Sequence, residues 1–194
     1  FDPEKAVQTL TDAGYTVENG QLMKDGTAIE IVQTFSDTPR NRTRNEWLVA
    51  KGKEVLGIDI SLNPVESTTY TALTKDIETA PQMFILGWCA DYPDPQNWLS
   101  VYLKTGAFGE RIGFTNPEMD EVMSQADAEL DPAKRAELYA QAQNTLIEGG
   151  YVAFMWNNVN SYLVQPWVQG LETTSMDSGW AGDNDPLTIT VEPH

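Results

Sequence analysis

The run Met83-Phe84-Ile85-Leu86-Gly87-Trp88-Cys89-Ala90-Asp91-Tyr92-Pro93-Asp94-Pro95 decides how the chain is read. Its first four residues are uninterrupted apolar, the pattern of a strand covered on both faces, and Gly87 closes it. Upstream, Ile58, Ile60 and Leu62 alternate with Asp59, Ser61 and Asn63, a half-buried strand by its period of two. Earlier still, Ile29, Ile31, Val32 and Phe35 form a β-rich run that ends near Ser36-Asp37-Thr38-Pro39. A helix over residues 41–56, closed by Gly57, separates the first two strands, and a shorter helical segment over residues 67–75 separates the last two. The order β-α-β-α-β predicts parallel strands, right-handed crossovers and helices packed on the sheet. The expected class is therefore α/β, a mixed and mostly parallel sheet with helices on both faces. Residues 83–86 are the best candidate for its central strand.

Toward the N-terminus, Asp2-Pro3 reads as a helix cap followed by proline at the first helical position, with Gly14 as the stop. Residues 15–24 read as a polar, Gly-containing connection. The second half is more helical. Asn116-Pro117 and Asp131-Pro132 each open a helix, and Gly149-Gly150 ends the second one. Two strands are expected in Tyr151-Val152-Ala153-Phe154-Met155-Trp156 and Ser161-Tyr162-Leu163-Val164, joined by an Asn-rich link. A Gly/Asp-rich loop over 175–186 then leads to a last strand over 187–191. No internal repeat or low-complexity tract is present.

At 194 residues and 41% hydrophobic content, the chain has enough apolar surface to bury a continuous core, and its length suggests one compact unit. Twelve Lys and Arg against 29 Asp and Glu give a formal net charge of −17. A field of that sign repels phosphate backbones and anionic headgroups, so nucleic acid is not an expected partner. Cationic, zwitterionic or neutral ligands are favoured. The single cysteine, Cys89, permits no internal disulfide, and the single histidine, His194, cannot complete a Cys/His zinc site. Neither a metal nor a cofactor is expected. No stretch approaches the roughly 20 apolar residues of a spanning helix. The chain opens at Phe1 directly into a helix pattern, which suggests that it was cut from something longer.

Chemistry concentrates in residues 87–98. Ligands of open α/β sheets bind outside the carboxyl ends of the strands, and this loop follows such an end. Trp88 and Asp91 pair an aromatic wall with a negative charge, on a loop stiffened by Pro93 and Pro95. Asp91 so placed could hold a substrate ammonium through a charge-assisted contact. The competing reading has Asp91 capping the helix after Pro95 or stabilising its own turn, with Trp88 simply packed in the core and Cys89 a small buried hydrophobe. Asp91 and Asp94 could also be imagined as a hydrolase's carboxylate pair, but both lie on one short loop, whereas such a pair must flank its substrate. Asp183-Asn184-Asp185 lacks the full ligand series of a calcium loop and reads as a solvated turn.

The run from Gly87 to Pro95 resembles the signature of family 5 extracellular solute-binding proteins, the dipeptide and oligopeptide receptors of bacterial ABC importers. Further matches follow in order: Asp2-Pro3-Glu4-Lys5-Ala6 through Ala13-Gly14-Tyr15, then Phe114-Thr115-Asn116-Pro117-Glu118-Met119-Asp120, then Leu163-Val164-Gln165-Pro166-Trp167-Val168 with Gly170. The resemblance implies a periplasmic-binding-protein type II-like lobe, residues 1–194 being the C-terminal lobe of a two-lobed receptor. The tail 175–194 would return toward the hinge, and the N-terminal lobe would be a missing partner. It further implies a peptide or other small solute as ligand, an ABC permease as partner, an extracytoplasmic location in the periplasm or lipid-anchored on the outer face of the membrane, and no enzymatic activity. For the site, it implies Asp91 gripping the ligand α-ammonium, Trp88 lining a side-chain pocket, and the backbone of Gly87 to Cys89 pairing with an extended ligand. Tyr92 completes the matched run, and Asn157 and Asn158 stand where the family offers tyrosines. The chain departs from the pattern at Ile85, near which an Arg for a peptide carboxylate is expected; Lys75 is the nearest cation in sequence. Asparagine amides suit a sugar as well as a peptide backbone, so an oligosaccharide or other solute is the alternative ligand.

Overall fold

A computed structural model describes residues 2–159, 161, 163–171 and 189–193. Within it the chain divides into two compact units, Phe1–Leu86 and Gly87–His194, in place of the single unit its length suggests.

The first unit begins with helix α1, Pro3–Asp12. The Asp2 carboxylate accepts from the Lys5 N–H at 2.9 Å, satisfying one of the donors that every helix start leaves free. Strands β1 (Tyr15–Glu18), β2 (Gln21–Lys24) and β3 (Thr27–Ile29) follow as an antiparallel meander. The sequence reading of a polar connection is corrected here. Both hairpins turn on two residues, Asn19-Gly20 and Asp25-Gly26, all four with φ between 51° and 86°. Two-residue turns need that left-handed backbone, and Asn-Gly and Asp-Gly are the pairs that adopt it most readily.

The parallel sheet comprises β4 (Ile31–Ser36), β5 (Ile60–Val65) and β6 (Met83–Phe84) in the order β5-β4-β6. All strands point the same way, as expected. The centre, however, is β4, whose Gln33, Thr34 and Phe35 are buried, and β6 is an edge strand of two residues. Its early end has a local cause. The Tyr70 hydroxyl donates to the Ile85 carbonyl at 2.5 Å and accepts from the Ile85 N–H at 3.0 Å, so both main-chain groups that would extend the ladder are occupied. On the N-terminal side, the Gln82 side chain extends the pairing by accepting from Val32 N–H (2.8 Å) and donating to the Glu30 carbonyl (3.1 Å). Pro64 lies in β5, the other edge, where a missing N–H is tolerated.

Helix α2, Pro39–Leu56, is capped by Thr38 and stopped by Gly57 at φ 71°. Helix α3, Ser67–Leu73, is capped by the Glu66 carboxylate. The crossover carrying α2 moves from β4 to one edge, and the crossover carrying α3 moves back past β4 to the other. Parallel neighbours need such crossovers, and here each carries a helix. That is the α/β arrangement expected from the sequence.

The second unit is mainly helical: α4 (Pro95–Trp98), α5 (Ser100–Leu103), a 3₁₀ helix (Phe108–Ile112), α6 (Pro117–Ala128) and α7 (Pro132–Glu148). Asn116 and Asp131 cap α6 and α7 as predicted, accepting from Met119 N–H and from Ala133 and Lys134 N–H. Met119, Met123 and Ala126 of α6 interlock with Tyr139, Ala142 and Leu146 of α7, and Leu99, Leu103 and Phe114 close the same core. Short strands β7 (Val168–Gln169) and β8 (Thr190–Val191) pair antiparallel. The strand expected over residues 151–156 does not form, and described residues 152–159 carry no regular structure. Apolar patterning alone does not make a strand, and among the described residues none pairs with this segment. The second strand expected there, the loop over 175–186 and the start of the last strand fall wholly or partly outside the described residues. Among the described residues no helix is long and apolar enough to cross a membrane.

Met123 is fully buried, whereas Leu130 between α6 and α7 is 94% exposed. Met123→Ala is expected to lower unfolding stability by about 2–5 kcal/mol. Leu130→Ala should change it by less than about 0.5 kcal/mol. Urea unfolding of the two variants beside the parent checks both.

Candidate functional site

The loop over residues 87–94 belongs to the second unit, and each of its candidate residues can be placed. Asp94, not Asp91, caps α4: its Oδ1 accepts from the Gln96 N–H at 2.8 Å. The same carboxylate takes a two-pronged ion pair from Arg135 of α7, Nη1 to Oδ2 and Nη2 to Oδ1, each 2.8 Å. Hydrogen bonding to Arg135 outweighs the desolvation that opposes it and holds the Asp94 carboxyl below the usual carboxylate range. The pair continues inward. Arg135 lies 4.8 Å over the Tyr139 ring and donates to its hydroxyl at 3.2 Å; that hydroxyl donates to Asp127 Oδ1 at 2.6 Å, and Ser100 donates to the same oxygen at 2.8 Å. Burial first, then the Asp127 carboxylate, push the Tyr139 phenol well above its ordinary value, so it serves as a fixed donor. The start of α4 is thereby fastened to α6 and α7.

Asp91 is left for other work. It is exposed, its main-chain N–H donates to Asn97 Oδ1 at 3.2 Å, and its Oδ2 is approached by Asn97 Nδ2 at 3.4 Å. The helix-capping reading of Asp91 is thus corrected: one turn further on, Asp94 takes that role because it directly precedes Pro95. Asp94 is equally unavailable as one half of a hydrolytic carboxylate pair, since cap and guanidinium occupy both of its oxygens.

Trp88 is half-buried. Its ring stacks on Tyr102 at 4.8 Å and tilts against Phe108 at 4.9 Å, and Arg111 covers Phe108 at 4.4 Å. Its Nε1–H donates to both the carbonyl and the Oδ1 of Asn97, at 3.0 and 2.9 Å. Trp88 is therefore held both at its ring face and at its indole nitrogen. Cys89 is exposed, which corrects the expectation of a buried thiol. Gly87 is exposed too, and among the described residues no main-chain partner meets Gly87, Cys89 or Ala90. Tyr92 is exposed, with its hydroxyl bonded to the Gln96 amide oxygen. Asn157 and Asn158 are exposed on the irregular segment 152–159. Ile85 and Lys75 belong to the first unit; Ile85 is tied to Tyr70 and Lys75 is exposed beyond α3.

Asn97 is the residue that the sequence reading misses. It is fully buried at the third position of α4 and touches both Trp88 and Asp91. The only sequence signal is an amide placed ahead of Trp98 and Leu99, where an apolar residue would pack equally well. No group of three or more His, Cys, Asp or Glu that could hold a metal occurs among the described residues.

Comparison with known proteins bears on the same loop. The family described as bacterial extracellular solute-binding proteins, family 5 Middle, matches residues 1–110, which include the whole of it. The chain is 26% identical over 174 residues to the periplasmic oligopeptide-binding protein OppA of Escherichia coli, covering 86% of this chain and 29% of that protein. It is 32% identical over 147 residues to heme-binding protein A of Haemophilus influenzae, covering 74% of this chain and 25% of that one. Among solved structures, the murein tripeptide binding protein MppA of Escherichia coli superposes with a TM-score of 0.79 at 22% identity, over 99% of this chain and 35% of that chain. The chain thus spans under a third of the length of these curated relatives, and it has the fold of a type II periplasmic-binding-protein segment.

The Asp94–Arg135 pair supplies a test. A carboxyl held below its usual range adds stability that is present above the ordinary carboxylate pKa and lost as pH falls through the lowered folded value. The stability difference between the parent and Asp94→Asn is therefore expected to be largest near neutrality and to shrink toward zero in acid. Urea midpoints for both proteins across pH 7 to 2.5 check it.

Proposed function

Because the chain belongs to the bacterial extracellular solute-binding proteins, family 5, we propose that it forms the ligand-gripping part of an extracytoplasmic receptor that hands peptides to an ABC permease. Asp91 carries the reading. It presents an exposed carboxylate on a loop whose foundation is locked, while Asp94, three residues on, is fully consumed by Arg135 and the α4 cap. A carboxylate held this way meets a peptide α-ammonium without reorganising, and a charge-assisted contact of that kind is stronger than a neutral hydrogen bond. The net charge of −17 adds a field of the right sign. The main chain of Gly87, Cys89 and Ala90, which meets no main-chain partner among the described residues, offers donors and acceptors to an extended ligand and would read peptide backbone whatever its side chains.

The relatives support the same direction: OppA and MppA are named for binding oligopeptides and a murein tripeptide. The ligand would bridge this chain and the missing N-terminal lobe and stabilise a closed form that the permease recognises. No bond is made or broken in that cycle. An oligosaccharide ligand stacked on Trp88 is less well supported, because Tyr102 already covers one ring face and Asn97 takes the indole N–H.

In the full-length receptor, a pool of tri- to pentapeptides is expected to be retained in preference to the same pool N-acetylated. Asp91→Asn should weaken binding of the free-amine pool by roughly 10- to 100-fold and remove the preference. Equilibrium dialysis read by mass spectrometry makes the measurement. Retention that ignores acetylation would overturn the assignment.

A further inference from the structure

The contacts behind the loop, rather than on its open side, carry one step more. The side-chain oxygen of Asn97 receives two donors at once, Trp88 Nε1–H at 2.9 Å and the Asp91 main-chain N–H at 3.2 Å, while the Asn97 carbonyl takes a second share of the same indole proton at 3.0 Å. The amide nitrogen faces Asp91 Oδ2 at 3.4 Å. Asn97 itself is wholly buried, and the helix that carries it is fastened at its start by Asp94 to Arg135. One amide therefore fixes both the aromatic wall and the base of the acidic side chain. A buried acceptor shared between two donors has few alternative geometries, because rotating the amide would strand the Asp91 N–H and leave the indole proton only its share of the Asn97 carbonyl.

We propose that Asn97 is the positioning residue of this site, setting Asp91 and Trp88 in a single ligand-ready arrangement; this rests on the reading of Asp91 as the ammonium ligand. Asn97 touches no ligand. It removes freedom that the loop would otherwise lose on binding, and such preorganisation raises affinity without adding a contact. The role belongs to an uncharged amide, whose oxygen accepts from both N–H groups while its nitrogen faces Asp91 Oδ2, so a glutamine in its place retains the groups it needs and a methyl group does not.

The test uses the full-length receptor and the free and N-acetylated tri- to pentapeptide pools. Two variants are compared, Asn97→Ala and Asn97→Gln, with Trp88 indole N–H exchange followed by NMR and assigned by Trp88→Phe. Asn97→Ala is expected to reduce the preference for free amines by roughly tenfold and to quicken exchange of the Trp88 N–H, which keeps only the main-chain carbonyl, whereas Asn97→Gln keeps the preference within about threefold and the N–H protected. A merely structural role would weaken both pools equally and leave their ratio at the parental value, and that result overturns the proposal. Should Asn97→Ala fail to fold, Asn97→Gln decides alone: a protected Trp88 N–H with the preference lost overturns it. A parent that ignores N-acetylation overturns the reading of Asp91 and this role with it. A discriminating parent matched by an unaltered Asn97→Ala overturns the positioning role only.

Discussion

A bidentate ion pair between Asp94 and Arg135 joins the opening turn of a four-residue helix to a seventeen-residue one, and the candidate site depends on that junction. A helix as short as α4 has no stability of its own, since nucleation is costly and few hydrogen bonds repay it. It persists because proline starts it, Asp94 caps it and Arg135 pins the cap to α7. With α4 fixed, Asn97 has one place to be, and Trp88 and Asp91 follow from it. The force that shapes the loop is thus electrostatic at its foundation and becomes hydrogen bonding one turn later, with the Trp88, Tyr102 and Phe108 rings filling in behind.

Two carboxylates three residues apart divide the labour through their surroundings alone. Asp94 sits beside a guanidinium and a helix start, which hold its charge and spend its lone pairs. Asp91 has only a long contact from an amide and stays open to solvent. Neither residue type nor charge distinguishes them; position relative to Pro95 does. In the receptor proposed above, this division would keep the group that meets the ligand separate from the group that maintains the fold.

Much of the architecture is legible where chemistry is local. Asp2-Pro3, Asn116-Pro117 and Asp131-Pro132 each announce a helix, and each cap forms, because the side chain that satisfies the free N–H groups lies within three residues of them. The parallel strands are equally plain from their periodicity. Asn19-Gly20 and Asp25-Gly26 spell two hairpins as well, a signal that the reading of residues 15–24 as a connection passes over. What sequence cannot convey is partnership at a distance. The apolar run 83–86 looks central, yet a hydroxyl 15 residues earlier ends its ladder at Phe84. The apolar run over residues 151–156 pairs with no strand among the described residues. At the site, Trp88 and Asp91 stand out by type, and the resemblance gives them roles, but Asn97 is conspicuous only once its burial and three-way contacts are known. Cys89 errs for the same reason: small and apolar in composition, it lands on the open side of a loop whose interior is already filled by its neighbours.

That thiol has a practical corollary. The chain contains one sulfhydryl, solvent-accessible and flanked by the indole and the carboxylate of the site. A maleimide dye attached there needs no engineered residue and no removal of competing thiols from this chain. Its emission would report the polarity beside Trp88 and Asp91, turning the native polypeptide into an optical sensor for the proposed site.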